Sequence, residues 1–199
     1  MERHTARLAV LSSLAAGLLL PGGSDGAVPV IAAAPRAVTV SAAPRITLVG
    51  AGAAERAALD DALARFREHG LDLPDLEVEF SDDTTVCNGH AGGFLERSWR
   101  VVACSDLPFV LTHELAHAWV AANVDDVGRN RYVEARRLST WDSHDVPWGE
   151  RGIEDAAFII QQNLMATSPP MSSPTWADRA DAYELLTRSP SPLRSGTPR

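Results

Sequence analysis

The chain contains no lysine, since all 18 of its basic residues are arginine. A Schiff-base mechanism and the phosphate-reaching lysine of a nucleotide-binding loop are thereby excluded. Positive charge is scarce overall: 18 basic residues face 26 acidic ones, for a net charge of -8. Such a surface repels a phosphate backbone, so nucleic acid is not expected as a partner. Cysteine is limited to Cys87 and Cys104, which lack the short paired spacing of a zinc knuckle. With 199 residues the chain has room for one ordinary domain with its own core.

The first residues carry Arg3, His4 and Arg7, then an apolar run from Leu8 to Leu20, then Pro21 to Ser24. This is the three-part layout of a secretory signal peptide, and residues 1–27 are read as one. The run is about 13 residues long against the ~20 apolar residues that span a bilayer, so no stable membrane span is expected after cleavage. Export places the two thiols in an oxidising compartment, and a Cys87–Cys104 disulfide is predicted. It would close a loop of about 17 residues and stabilise the fold by roughly 3 kcal/mol on the chain-entropy model.

Residues 28–44, rich in Ala, Val and Pro, read as a flexible leader or propeptide, and the folded domain is placed at 45–188. Arg45–Val49 reads as a short strand and Ala53–His69 as an amphipathic helix closed by Gly70, with Leu59, Leu63 and Phe66 on one face. Leu76–Phe80 and Trp99–Cys104 read as further strands. The glycine-rich Asn88–Gly93 between them lacks the GK[ST] ending of a phosphate cradle and reads as a loop, with His90 a solvated loop residue. Ser105 or Asp106 is expected to cap the next helix, which has Pro108 in its first turn and runs to Ala122. A polar connection with a short helix near Tyr132–Leu138 follows, then a final helix from about Glu150 to Met165. The tail 189–199 holds three prolines, two arginines and small polar residues, and is expected to be disordered.

Within the central helix, Thr112-His-Glu-Leu-Ala-His-Ala118 contains HExxH. The i, i+4 spacing stacks His113 and His117 on one face, so two imidazole nitrogens can reach one ion, while Glu114 sits beside them as a base. Zinc in such a site polarises a carbonyl and lowers the pKa of water toward neutrality. With six His and eleven Glu in 199 residues, HExxH arises by chance on the order of once in a hundred such chains. Its position in a capped helix, downstream of strands, in an exported chain, favours the chemical reading further.

Catalytic zinc usually takes a third protein ligand. The metzincin pattern, with glycine and a further histidine, is excluded because the chain continues His117-Ala-Trp-Val-Ala-Ala-Asn123. Downstream, Pro147-Trp-Gly-Glu-Arg-Gly-Ile-Glu-Asp-Ala-Ala157 sets acidic residues at a helix start, with a small residue one turn on. Glu154, Glu150, Asp155, Asp145 and His144 are the candidates. In these two segments the chain resembles the gluzincin zinc peptidases, in which HExxH is completed by a glutamate on a later helix, often in an ExxA setting, and as a whole it looks like a small secreted actinobacterial peptidase. The resemblance implies Glu154 as the third ligand, with Ala157 as its alanine, although Phe158 stands where many gluzincins carry an acidic residue.

The expected fold is α+β, a minimal zincin-like domain: a small twisted sheet with an N-terminal helix, the HExxH helix beneath, a C-terminal helix presenting Glu154, and an edge strand bordering the cleft. The expected function is secreted, zinc-dependent hydrolysis of peptide or protein substrates by a monomer, with Glu114 as general base. Tyr132, His144 and Arg151 are candidates for transition-state or substrate contacts, and Trp99, Trp119, Trp141 and Trp148 for the cleft lining. Two other readings stand beside this one: a degenerate zinc-binding module, and a hydrolase of a non-peptide amide or cell-wall crosslink.

Overall fold

Alternating apolar and charged residues in Leu76-Glu-Val-Glu-Phe80 give a strand with one face buried, and the sheet grows around it. The computed structural model describes residues 43–105, 107–166 and 176–195. The expectations for the signal peptide, and almost all of those for the leader, lie outside these residues. Four strands, β1 (Ile46–Val49), β2 (Leu76–Phe80), β3 (Gly92–Leu95) and β4 (Arg100–Ala103), form one mixed sheet in the order β1-β2-β4-β3. β1 and β4 run parallel to β2, with Leu48 opposite Val78 and Val78 opposite Val101, while β3 runs antiparallel to β4 at the sheet edge. Val78 and Val101 are fully buried under the helices. On the other face Arg100 pairs with Glu77 and Glu79. The domain is α+β, as expected.

Helix α1 (Ala53–Glu68) connects β1 to β2 and buries Leu59 and Phe66, with Leu63 packed partly against the same core. It stops where Gly70 takes a positive φ of 66° and Leu71 N–H donates back to the Phe66 carbonyl at 2.9 Å. That return bond satisfies a carbonyl at the helix end and drives the buried Leu71 into the core.

Helix α2 (Pro108–Asn123) is buried nearly all round from Val110 to Val120, which makes it the central element. Its N-terminus departs from expectation. The capping position is Leu107, without a side-chain cap, and Ser105 Oγ accepts only from Leu107 N–H at 3.3 Å; Asp106 lies outside the described residues. Asp125 instead caps α3 (Asp126–Arg136), accepting from Gly128 N–H at 2.8 Å, so the short helix expected in the connection is longer and starts earlier.

Helix α4 (Gly152–Met165) packs on α2 more extensively than any other pair of elements. It has no side-chain cap either. Gly152 and Ile153 N–H donate to the Thr140 and Trp141 carbonyls at 2.8 and 2.9 Å, so the preceding connection satisfies two free donors of its first turn. Gly152 is required there, because a Cβ would lie 2.8 Å from the Trp141 ring and 3.0 Å from Val133. Asp155, one residue after Glu154, accepts from Tyr132 Oη at 2.6 Å and from Arg136 Nε and Nη2 at 2.8 and 2.9 Å. This largely buried network ties the first turn of α4 to α3.

Three further expectations need correction or completion. The glycine-rich loop ends early, because Gly92 and Gly93 open β3 and are held by antiparallel pairing with β4. A helix the sequence reading did not anticipate, α5 (Trp176–Thr187), follows α4 and buries Ala180, Tyr183 and Leu186. The tail expected to be disordered from Ser189 is ordered as far as Ser195: Ser191 Oγ donates to Asn163 Oδ1 at 2.5 Å, and Glu184 accepts from Ser191 N–H and Arg194 Nε. Polar partners on α4 and α5, not apolar burial, hold it. The Cys87–Cys104 disulfide is present and encloses the β3–β4 hairpin. Among the described residues, no helix is long and apolar enough to cross a membrane.

Removing the Asp155 carboxylate leaves Arg136 and Tyr132 buried without their acceptor. Asp155→Ala is therefore expected to lower unfolding stability by about 3–5 kcal/mol, the range for a broken buried ion pair, in urea denaturation at neutral pH. A change within the scatter of a surface substitution would show that the network carries no such role.

Candidate metal centre

His113 and His117 lie one turn apart on α2, and their rings meet edge to face with centroids 4.7 Å apart. Glu154 reaches across from the first turn of α4. His113 Nε2 and His117 Nε2 are 3.1 Å apart, and Glu154 Oε2 lies 3.3 Å from the first and 3.1 Å from the second. The three side chains form a group able to hold a metal ion. Small residues flank the group on both helices: Ala116 and Ala118 on α2, and Ala156 and Ala157 on α4, are all completely buried in the core.

Of the five candidates for the third ligand, only Glu154 joins the histidines. Asp155 is engaged by Tyr132 and Arg136, and Glu150 accepts from Ser139 Oγ at 2.8 Å. His144 Nδ1 faces Arg151 Nη1 at 3.3 Å, and Asp145 lies on the same exposed stretch. Neither belongs to the group.

The two glutamates of the site have opposite proton affinities. For Glu154, burial is the largest single influence and acts upward. Hydrogen bonds from His113 and His117, with their charge, together outweigh it and hold the carboxyl at about 2. Glu114 has no such bonds. Burial pushes it up to about 7, the nearby Glu154 charge adds to the rise, and His113 opposes it. The same residue type is thus an anion in one place and a proton acceptor near neutrality in the other.

What buries Glu114 is the edge strand. A Cβ built on Gly92 would lie 2.9 Å from Glu114 Cγ, 3.0 Å from its Oε1 and 2.8 Å from Val110 Cγ1. Only glycine lets β3 cross α2 so closely. Gly93, the next residue and so on the opposite face of the strand, has open space around its Cβ position.

Sequence reasoning missed Gly92, although a glycine pair next to a strand is a signal of close backbone approach. It also left Trp148 among four tryptophans. Trp148, in a short 3-10 turn (Trp148–Glu150), sets its ring 5.9 Å from that of His113. The other three are elsewhere: Trp119 is in the core, Trp141 packs on Tyr132 and under Arg129, and Trp99 rests on Phe94. Of the residues considered for transition-state or substrate contacts, Tyr132 is fully buried and bound to Asp155. Arg151 donates to the Val146 carbonyl and faces His144, without pairing to Glu154 or Asp155.

The Glu114 shift has a measurable consequence in chelator-treated protein. Its folded pKa of about 7 lies above the ordinary 4.5, so the folded state holds the extra proton between those values. Glu114's contribution to stability is full below pH 4.5 and is lost as pH rises through 7, a decline of about 3 kcal/mol. Glu154 acts oppositely and only at lower pH, between 4.5 and about 2. Glu114→Gln, which mimics the protonated form, should flatten the decline between pH 5 and 8 in urea titrations. An unchanged pH profile would exclude the shift.

Comparison of the chain with models of known protein families, with curated protein sequences and with solved structures returned no match.

Proposed function

We propose that this chain is a secreted, zinc-dependent metallopeptidase. The observation that carries the reading is the triangle of two imidazole nitrogens and one carboxylate oxygen with edges of 3.1, 3.1 and 3.3 Å, beside a fourth residue, Glu114, held apart from it. Ligand atoms around a tetrahedral zinc with bonds of about 2.0–2.1 Å stand about 3.3 Å from one another, so the donor set fits in both chemistry and spacing. His113, His117 and Glu154 would hold the ion. Bound there, it supplies Lewis acidity, polarising a substrate carbonyl and acidifying a water.

The remaining work falls to the chain itself. Glu114 accepts a proton from the attacking water and returns it to the leaving nitrogen, and its proton affinity near neutrality suits both transfers. Glu154, held as an anion, would complete the ligand set from the opposite helix. β3, an edge strand paired only with β4 in the sheet, offers backbone groups along which an extended peptide can be aligned. The disulfide suits an oxidising compartment, in keeping with export.

Protein purified without chelator is expected to contain one equivalent of zinc by elemental analysis, and Glu154→Ala to lose most of it. Metal-free wild type would defeat the proposal. Glu114→Gln should keep the metal and lose peptidase activity by about 10²–10⁴-fold, whereas a zinc-binding module would have no activity to lose. Gly92→Ala should also keep the metal but reduce activity by about 10²-fold, because the added methyl group displaces Glu114. Full activity in that variant would show that β3 does not set the position of the base.

A further inference from the structure

Trp148 and Phe109 are large apolar side chains that the fold leaves in solvent. Trp148 is 45% exposed and Phe109 36% exposed. Both border His113. The Trp148 ring lies 5.9 Å from the imidazole at an angle of 33°, and Phe109 precedes His113 by four residues on α2, one turn away on the same face. Neither position is forced on the chain by core packing, since the interior of α2 is filled by Val110, Leu111, Leu115, Trp119 and Val120.

On another side of the site β3 lies against Glu114, where Gly92 brings bare backbone into contact with the base. That stretch offers a peptide main-chain partners, whereas Trp148 offers exposed apolar area beside His113.

We propose that Trp148 and Phe109 form an apolar shelf beside His113 that selects peptides carrying a large apolar or aromatic side chain next to the bond held at the metal centre. The inference rests on the peptidase reading and adds its substrate class. Burying an aromatic side chain against Trp148 removes apolar area from water on both partners and allows offset or tilted ring contacts. The turn that presents Trp148 is fixed by Glu150 accepting from Ser139, by Arg151 bonding to the Val146 carbonyl and by the Thr140–Arg151 bridge, so the shelf is preformed.

The test separates shelf from catalysis by measuring binding without turnover. Zinc-loaded Glu114→Gln is titrated calorimetrically with two peptides identical except for a central Phe or Gly. The Phe peptide is expected to bind tighter by on the order of tenfold or more. Adding Trp148→Ala should remove that preference, while Trp148→Phe retains most of it, with zinc content unchanged in both. Equal affinity for the two peptides, no measurable binding of the Phe peptide, or an equal loss for both in Trp148→Ala would overturn the shelf. The last result would leave Trp148 as a residue that only orients His113. Hydrolysis by wild type is assayed with the same pair. A Phe preference in binding without hydrolysis upholds the shelf and removes the peptidase, whereas hydrolysis without preference does the reverse.

Discussion

Two imidazole nitrogens and a carboxylate oxygen within 3.3 Å of one another do not gather without help. They come from two different helices, and Glu154 is taken partly out of water to reach the histidines. The packing of α4 on α2 makes this placement hold, and the first turn of α4 is anchored separately. Gly152 and Ile153 are bound to the Thr140–Trp141 connection, and Asp155 to Tyr132 and Arg136. Glu154 stands between these anchors. Its backbone is therefore set on both sides, leaving the side-chain rotamers as the main freedom it must give up.

The partition between Glu154 and Glu114 follows from where the strands run. Glu154 receives hydrogen bonds from two histidines, whereas Glu114 lies against the β3 backbone at Gly92. Desolvation acts on both carboxyls in the same direction, so the difference lies in the hydrogen bonds available to offset it. An edge strand that begins with glycine can press its backbone against one of these carboxyls, and Gly92 does so at Glu114.

Much of this was legible in the sequence because it is local. The i, i+4 histidines, the amphipathic face of Leu59, Leu63 and Phe66, the alternation in Leu76–Phe80 and the small Ala157 one turn after Glu154 all report on elements a few residues long. What escaped depends on contacts distant in sequence. Gly92 and Gly93 look like a turn until β4 pairs with them, and the cap expected at Ser105 was displaced to a helix start with no side-chain cap. Trp176–Thr187 has little apolar contrast between its faces, so its helix emerges only from packing, and the Ser191 segment is ordered by Asn163 and Glu184 rather than by any pattern of its own.

The Asp155 network sits one residue from the candidate ligand yet contributes none of its atoms to it. The anchoring of α4 thus rests on contacts that lie outside the His113, His117 and Glu154 group. The three candidate ligands can therefore vary in residue type while the joint between α3 and α4 is kept, since the side chains that make that joint are different ones.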